Sequence, residues 1–294
     1  MPVPRVRIVT DSVADVPPEV AARLNIAVLP IYLLLGNQSY RDDATLDRTW
    51  FYAQLRARAG QLKTAAPPPQ VFGELFASLV AAGAEEIIGL FIAESLSSIV
   101  ANARLAAAQT SGACVTIVDT AQVTLGQGWL AILAAEAAAQ GASGAEIVEY
   151  VTQLRPRAGV LGMLDALDHL QHSGRVPWTT IRVGELLKIK PLIRFYDGEA
   201  TLVRRVRTHA RALDALEQGL HALAPFERLA LIHSRADAAV LAEFAARLVP
   251  LSPQTPLPIV EVSPVFGAHI GPGGLGVAFV QAPEHTLPIG SYHG

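Results

Sequence analysis

Short apolar runs alternate along the first half of the chain with stretches whose apolar positions recur every three or four residues. The runs Val6 to Val9, Ile26 to Leu35, Ile87 to Ile92 and Val115 to Val118 predict strands. Ile87 to Ile92 is unbroken, as expected of a strand buried on both faces. Helical spacing appears at Leu46, Trp50, Phe51 and Leu55, and again at Val71, Phe72, Leu75, Phe76 and Leu79. Alanine-rich residues 101–108, Gly126 to Gln140 and Ser143 to Gln153 also predict helices. Pro17 suits a first helical turn and predicts a helix to about Leu24, while Gly36-Asn37 turns the second run into a hairpin. Residues 60–69 break the pattern with three prolines. Strand alternating with helix predicts a mostly parallel sheet covered on both faces.

The pattern changes after Arg155-Pro156. Val160 to Met163 predicts a strand, Asp165 to His172 a short helix and Ile181 to Lys188 another. Leu192 to Phe195 and Ala200 to Val203 flank Asp197-Gly198, the chemistry of a two-residue hairpin turn. A helix over Thr208 to Leu223, a strand over Leu229 to His233, a helix over Asp237 to Leu248 and strands over Ile259 to Val262 and Val277 to Val280 follow. Phe266 to Gly276 reads as a glycine-rich loop, and Pro283 to Gly294 as a loose tail. The reading is α/β: residues 1–156 form a domain around the parallel sheet and 157–294 an α+β domain.

Composition adds limits. Of 294 residues, 51% are hydrophobic and 17% charged, enough apolar surface for a large core. A net charge of -3 offers no electrostatic basis for nucleic acid binding. Cys114, the single cysteine, excludes an internal disulfide and cysteine-built zinc sites, and its apolar surroundings predict a buried thiol. No leader pattern is visible and no stretch approaches the ~20 apolar residues of a membrane span. These features predict a soluble cytoplasmic protein.

Candidate chemistry gathers where Ile87 to Ile92 ends. Ser95, Ser97 and Ser98 separate that strand from the following helix, where serines cap and free N–H groups favour an anion. Gly271-Pro-Gly-Gly-Leu-Gly lacks the Lys-Ser/Thr of a phosphate loop and leads into a strand, so a tight turn or a close approach to a ligand beside His269 suits it better. Ser97 lies outside a nucleophile elbow. A triad with His269 and Asp11 or Asp119 has no support from spacing. His169 and His172 on one short helix are a weak metal pair, and the basic stretch from Arg204 reads as surface.

Six motifs, in order, resemble the DegV family of fatty-acid-binding proteins, which includes the acyl carriers of the bacterial fatty-acid kinase system. They are Thr10-Asp11-Ser12-Val-Ala-Asp15, Lys63-Thr64-Ala65-Ala66-Pro67, Ser95-Leu96-Ser97-Ser98, Ser173-Gly174-Arg175, Leu186-Leu-Lys-Ile-Lys-Pro191 and His269-Ile-Gly-Pro-Gly. The resemblance implies that the first domain is a Rossmann-like three-layer unit and that a long-chain fatty acid is held between the two domains, with its carboxylate on Thr64, Ser97 and His269. It implies that Arg175 lies near the carboxylate, and that Arg205 and Arg207 belong to a docking surface for a fatty-acid kinase. That kinase would convert the acid to an acyl phosphate for phospholipid synthesis. The carrier itself would be no enzyme, and would use no cofactor or metal beyond the bound acid. Ile31, Leu33, Phe91, Leu161 and Leu164 are candidates for the acyl-chain lining. The alternative on the same scaffold is an acyl hydrolase using Ser97 and His269. The chain departs from the family pattern at Ala65-Ala66, at Ile99 and at Ser98, which replaces a glycine and crowds the carboxylate's approach. Glu94 would oppose a carboxylate if it pointed inward.

Overall fold

The computed structural model describes residues 5–57, 61–176 and 189–283. The chain begins with β1 (Val6–Asp11), buried along its whole length. Pro17 and Pro18 open α1 (Pro18–Leu24), which Asn25 closes in the left-handed region. The apolar run that predicts one strand forms two, β2 (Ala27–Leu29) and β3 (Tyr32–Leu35). Pro30 lies between them and has no N–H for a ladder. β3 turns back into β4 (Gln38–Arg41), and α2 (Arg48–Ala57) follows. Residues 62–65, within a stretch expected to be irregular, are β5 (Leu62–Ala65), paired with β3 so that Thr64 stands opposite Leu33. Four mostly polar or small residues carry no period of their own, and the neighbouring strand defines them.

Next come α3 (Pro69–Ala81), β6 (Glu86–Phe91), α4 (Ile99–Ala107) and β7 (Cys114–Asp119). β2, β1, β6 and β7 make a four-stranded parallel sheet in that order. Cys114, expected to be buried, is exposed, because it starts an edge strand.

α5 (Thr124–Ala139) is buried at every position from Thr124 to Ala135. A helix buried all round must have packing on all sides. α5 touches β1 and β6 of the parallel sheet and, on its other side, two strands of the second half, β8 (Ala158–Met163) and β13 (Gly274–Gln281). Trp129 Nε1 donates to Ala278 O at 3.2 Å across that contact. α6 (Gly144–Leu154) starts with a capping box of Ser143 and Glu146.

The second half adds α7 (Asp168–Ser173), β9 (Lys190–Tyr196), β10 (Glu199–Val206), α8 (His209–Leu223), β11 (Phe226–Ser234), α9 (Ala238–Leu248), β12 (Ile259–Glu261) and α10 (Pro264–Ile270). Its sheet runs β10-β9-β8-β13-β11-β12, antiparallel except for β11 with β12. Asp197 and Gly198, both at positive φ, form the expected hairpin turn. α8 and α9 cover one face, where Leu161, Leu216, Leu220, Phe244 and Leu248 share a core. The other face meets α5 and the first half. The result is a mixed α/β fold. The helix expected over Ile181 to Lys188 and residues 284–294 of the expected tail lie outside the described residues.

Gly128 marks how closely α5 is held, since a Cβ there would run into the carbonyl oxygen of Ala14. Gly128→Ala should therefore destabilise the protein by ~1–3 kcal/mol, the usual cost of overpacking. A urea midpoint unchanged from the wild type would show that α5 can shift freely.

Candidate functional site

Thr64, Ser97, Arg175 and His269 arrive from four different elements and line one cavity of about 350 Å³. That volume lies within the range of small-molecule sites. β5 supplies Thr64 and the turn before α4 supplies Ser97. α10 supplies His269, and the turn after α7 supplies Arg175. The remaining wall is mostly apolar, with Ile31, Val123, Val160, Leu164, Phe195 and Val265 among its side chains.

Thr64 Oγ1 and His269 Nε2 are 3.0 Å apart, joining positions 205 residues distant in sequence. Burial, with a further push from the Arg175 charge, lowers the His269 pKa to about 3. The imidazole is therefore neutral at pH 7. If Nε2–H donates to Thr64, the threonine hydroxyl proton is free for an anion. Ser97 Oγ accepts from Ile99 N at 3.4 Å and leaves its own proton available. Arg175 is exposed, and its Nη1 donates to Ser173 O at 2.9 Å. Among the described residues no carboxylate lies within 4.0 Å of its guanidinium. The polar part of the lining thus combines hydroxyl donors, a neutral imidazole and a guanidinium with no carboxylate partner among the described residues, a set suited to a carboxylate.

Glu94 does not oppose this. Its two oxygens each lie 3.0 Å from Arg104 Nη1 at the surface. Asn102 Nδ2 donates to Pro67 O at 2.9 Å, fastening α4 to the segment after Thr64. Ser98 is exposed at the cavity edge, whereas Ile99 is buried in the core.

Of the apolar candidates, Ile31 and Leu164 line the cavity, and Leu33, Phe91 and Leu161 do not. Phe91 packs edge-on against Phe72 of α3, with ring centroids 5.5 Å apart. Leu161 points the opposite way from its neighbours Val160 and Gly162, toward Gly219 of α8. Leu33 is part of the core of the first half. Arg205 and Arg207 are exposed at and just past the end of β10, outside the cavity.

The expected glycine-rich loop is a helix and a strand. Ser263 caps α10 by accepting from Phe266 N at 3.3 Å, and Pro264 sits in its first turn. Two buried carboxylates from the first half hold that helix start. Asp15 accepts from Ser263 N at 2.6 Å and from the Thr124 hydroxyl. Asp42 accepts from Ser12 Oγ at 2.8 Å and from the Val265 backbone. At the other end, His169 packs on Gly271 and bonds the Ala268 backbone, while Ser234 Oγ donates to Gly271 O at 2.7 Å. The positioning roles of Asp15, Asp42 and His169 are absent from the sequence reading. Only the Asp11-Ser12-x-x-Asp15 motif signalled part of them.

A serine–histidine–aspartate relay is not assembled. Asp11 accepts from Val13 N, Ile92 N and Gln127 Nε2, and Asp119 from Glu94 N and Ala121 N. Among the described residues no group of three or more His, Cys, Asp or Glu could hold a metal ion. Nor is any helix there long and apolar enough to cross a membrane.

Burial raises the Asp15 pKa to about 8 and those of Asp11 and Asp42 to about 6. A folded-state pKa above the unfolded value means that stability is present at low pH and lost as pH rises through the folded value. The lowered His269 acts in the opposite direction, losing stability below about pH 6.5. Between pH 6.5 and 8 the Asp15 contribution dominates, and the wild type should lose ~1–2 kcal/mol. Asp15→Asn, whose Oδ1 can accept from Ser263 N while its amide N–H donates to the Thr124 hydroxyl, should flatten that decline. Equal slopes in urea titrations of the two proteins would refute the assignment.

The family model described as "Uncharacterised protein, DegV family" matches residues 5–282. A DegV domain-containing protein of Deinococcus radiodurans is 34% identical over 279 residues, covering 93% of this chain and 97% of that protein. One from Listeria monocytogenes is 29% identical, with 94% and 98% covered. Among solved structures, a DegV family protein from Thermus thermophilus, described for its fatty acid binding, is 27% identical. It has a TM-score of 0.86 over 95% of this chain and 100% of that one. A fatty acid binding DegV family protein from Streptococcus agalactiae is 25% identical, with a TM-score of 0.85 and coverage of 94% and 99%. With its sequence matched nearly end to end and its architecture shared with these structures, the chain belongs to the DegV family.

Proposed function

We propose that this protein binds a long-chain fatty acid and presents it to a fatty-acid kinase for conversion to an acyl phosphate. The supporting observation is a mostly apolar cavity whose lining also includes the hydrogen-bonded pair Thr64 and His269, together with Ser97 and Arg175. Thr64, Ser97 and His269 hold the carboxylate. Arg175 balances its charge from the cavity mouth, close to the group the kinase must reach. Ile31 and Leu164 contact the chain. Arg205 and Arg207 offer exposed positive charge for the kinase, a partner that places the carrier in the cytoplasm. On this reading the acid lies between units that divide near residues 156 and 157.

The energetics suit a carrier. About 15 methylenes at ~0.8 kcal/mol each give ~12 kcal/mol of gross transfer from water. Lost translational and chain freedom offset several kcal/mol of this and leave tight binding.

Denaturing the purified protein and analysing the extract by mass spectrometry should recover a long-chain acid. Thr64→Val and His269→Ala should each weaken uptake of added palmitate by ~10–100-fold, the effect of losing a hydrogen bond to a charged group. No endogenous acid together with no uptake would overturn the reading. Turnover of acyl esters that disappears in Ser97→Ala would replace it with a hydrolase.

A further inference from the structure

The cavity face of the six-stranded sheet contains a gap unrelated to the carboxylate site. Gly162 on β8 is registered with Ile193 on β9 and, on its other side, with Gly276 on β13. Gly276 is registered in turn with Ile232 on β11. Residues paired across antiparallel strands project from the same face, and all four line the cavity. The row across the sheet therefore reads isoleucine, glycine, glycine, isoleucine, with branched walls on either side of bare backbone. Two residues along each strand the corresponding row is Phe195, Val160, Ala278 and Ala230, which has no such gap.

Backbone conformation does not demand these glycines, since neither has a positive φ. Glycine within a strand weakens it and marks a close approach by something else. A Cβ on Gly162 would stand 3.3 Å from the Gly276 Cα and the Leu275 carbonyl oxygen, and one on Gly276 would stand 3.1 Å from the Gly162 Cα and the Leu161 carbonyl oxygen. The paired glycines therefore let the two backbones come close, and at this row neither strand carries a side chain on the cavity side. Gly274 precedes Gly276 by one strand repeat, about 7 Å. A Cβ on Gly274 would meet Ile270, the residue after His269, at 3.2 Å. The gap therefore lies beyond the carboxylate end, where the middle of an acyl chain would run.

We propose that Gly162 and Gly276 are specificity-determining residues: they floor a trough, walled by Ile193 and Ile232, that admits the mid-chain methylenes of long acids. The inference rests on the fatty-acid reading above and adds which positions discriminate chain length. An acid of six carbons ends before the trough and is indifferent to it. Long acids must lie in it.

The test measures affinity for saturated acids from C6 to C18 in the wild type, Gly162→Ala and Ile193→Phe, with melting temperatures recorded alongside. Gly162→Ala raises the floor. Ile193→Phe fills the trough from its wall without crowding the two strands, so it decides the matter should Gly162→Ala fail to fold. Both variants should lose at least tenfold affinity for the C16 and C18 acids while the C6 acid stays within threefold of wild type. Equal losses at every length, or unchanged C16 and C18 binding in folded variants, would overturn the trough and leave the fatty-acid reading intact. A wild type that binds no acid at any length would overturn that reading itself.

Discussion

The site depends on holding a seven-residue helix in place across the cavity. A helix as short as α10 has no stability of its own. Asp15 and Asp42, from the first half of the chain, take its leading backbone N–H groups, and Arg48 Nη1 donates to the carbonyls of Glu261 and Val262 just before it. His169 and Ser234 hold its far end. These contacts bring His269 to Thr64. Burying two carboxylates is costly, as their raised pKa values record. The fold accepts that cost where it joins its two halves, beside the group the cavity needs.

The same arrangement sets the electrostatics. Desolvation keeps His269 neutral, so the cavity presents donors without a fixed imidazolium charge. The positive charge comes instead from Arg175, exposed at the mouth, with a carbonyl of its own turn as its partner. On the proposed reading, an arriving carboxylate would meet hydroxyls inside and a cation outside, and the apolar lining would favour its chain. Glu94, the one acid whose position threatened this, is committed to Arg104 at the surface.

Much of the architecture is legible in the hydrophobic pattern. β6, β7, α3, α5 and the Asp197-Gly198 hairpin all follow from runs, periods or turn chemistry. What escaped detection depends on tertiary partners. β5 is defined by pairing with β3, and the break at Pro30 is visible only once β2 and β3 join different sheets. α10 was hidden within glycine-rich sequence although Ser263-Pro264 is a good helix start. Cys114 shows that an apolar run does not distinguish an edge strand's first residue from its middle. Periodicity alone did not bring Thr64, Ser97 and His269 together, and their family resemblance suggested the grouping. It did not say which apolar residues face the cavity, since Leu33, Phe91 and Leu161 are as hydrophobic as those that do.

The most direct test is a crystal structure of the protein with palmitate. The account predicts one carboxylate within hydrogen-bond distance of Thr64 Oγ1 and the His269 imidazole, with the chain extending along the apolar wall. A chain bound in the reverse direction, or a carboxylate held elsewhere with the Thr64–His269 bond undisturbed, would contradict it.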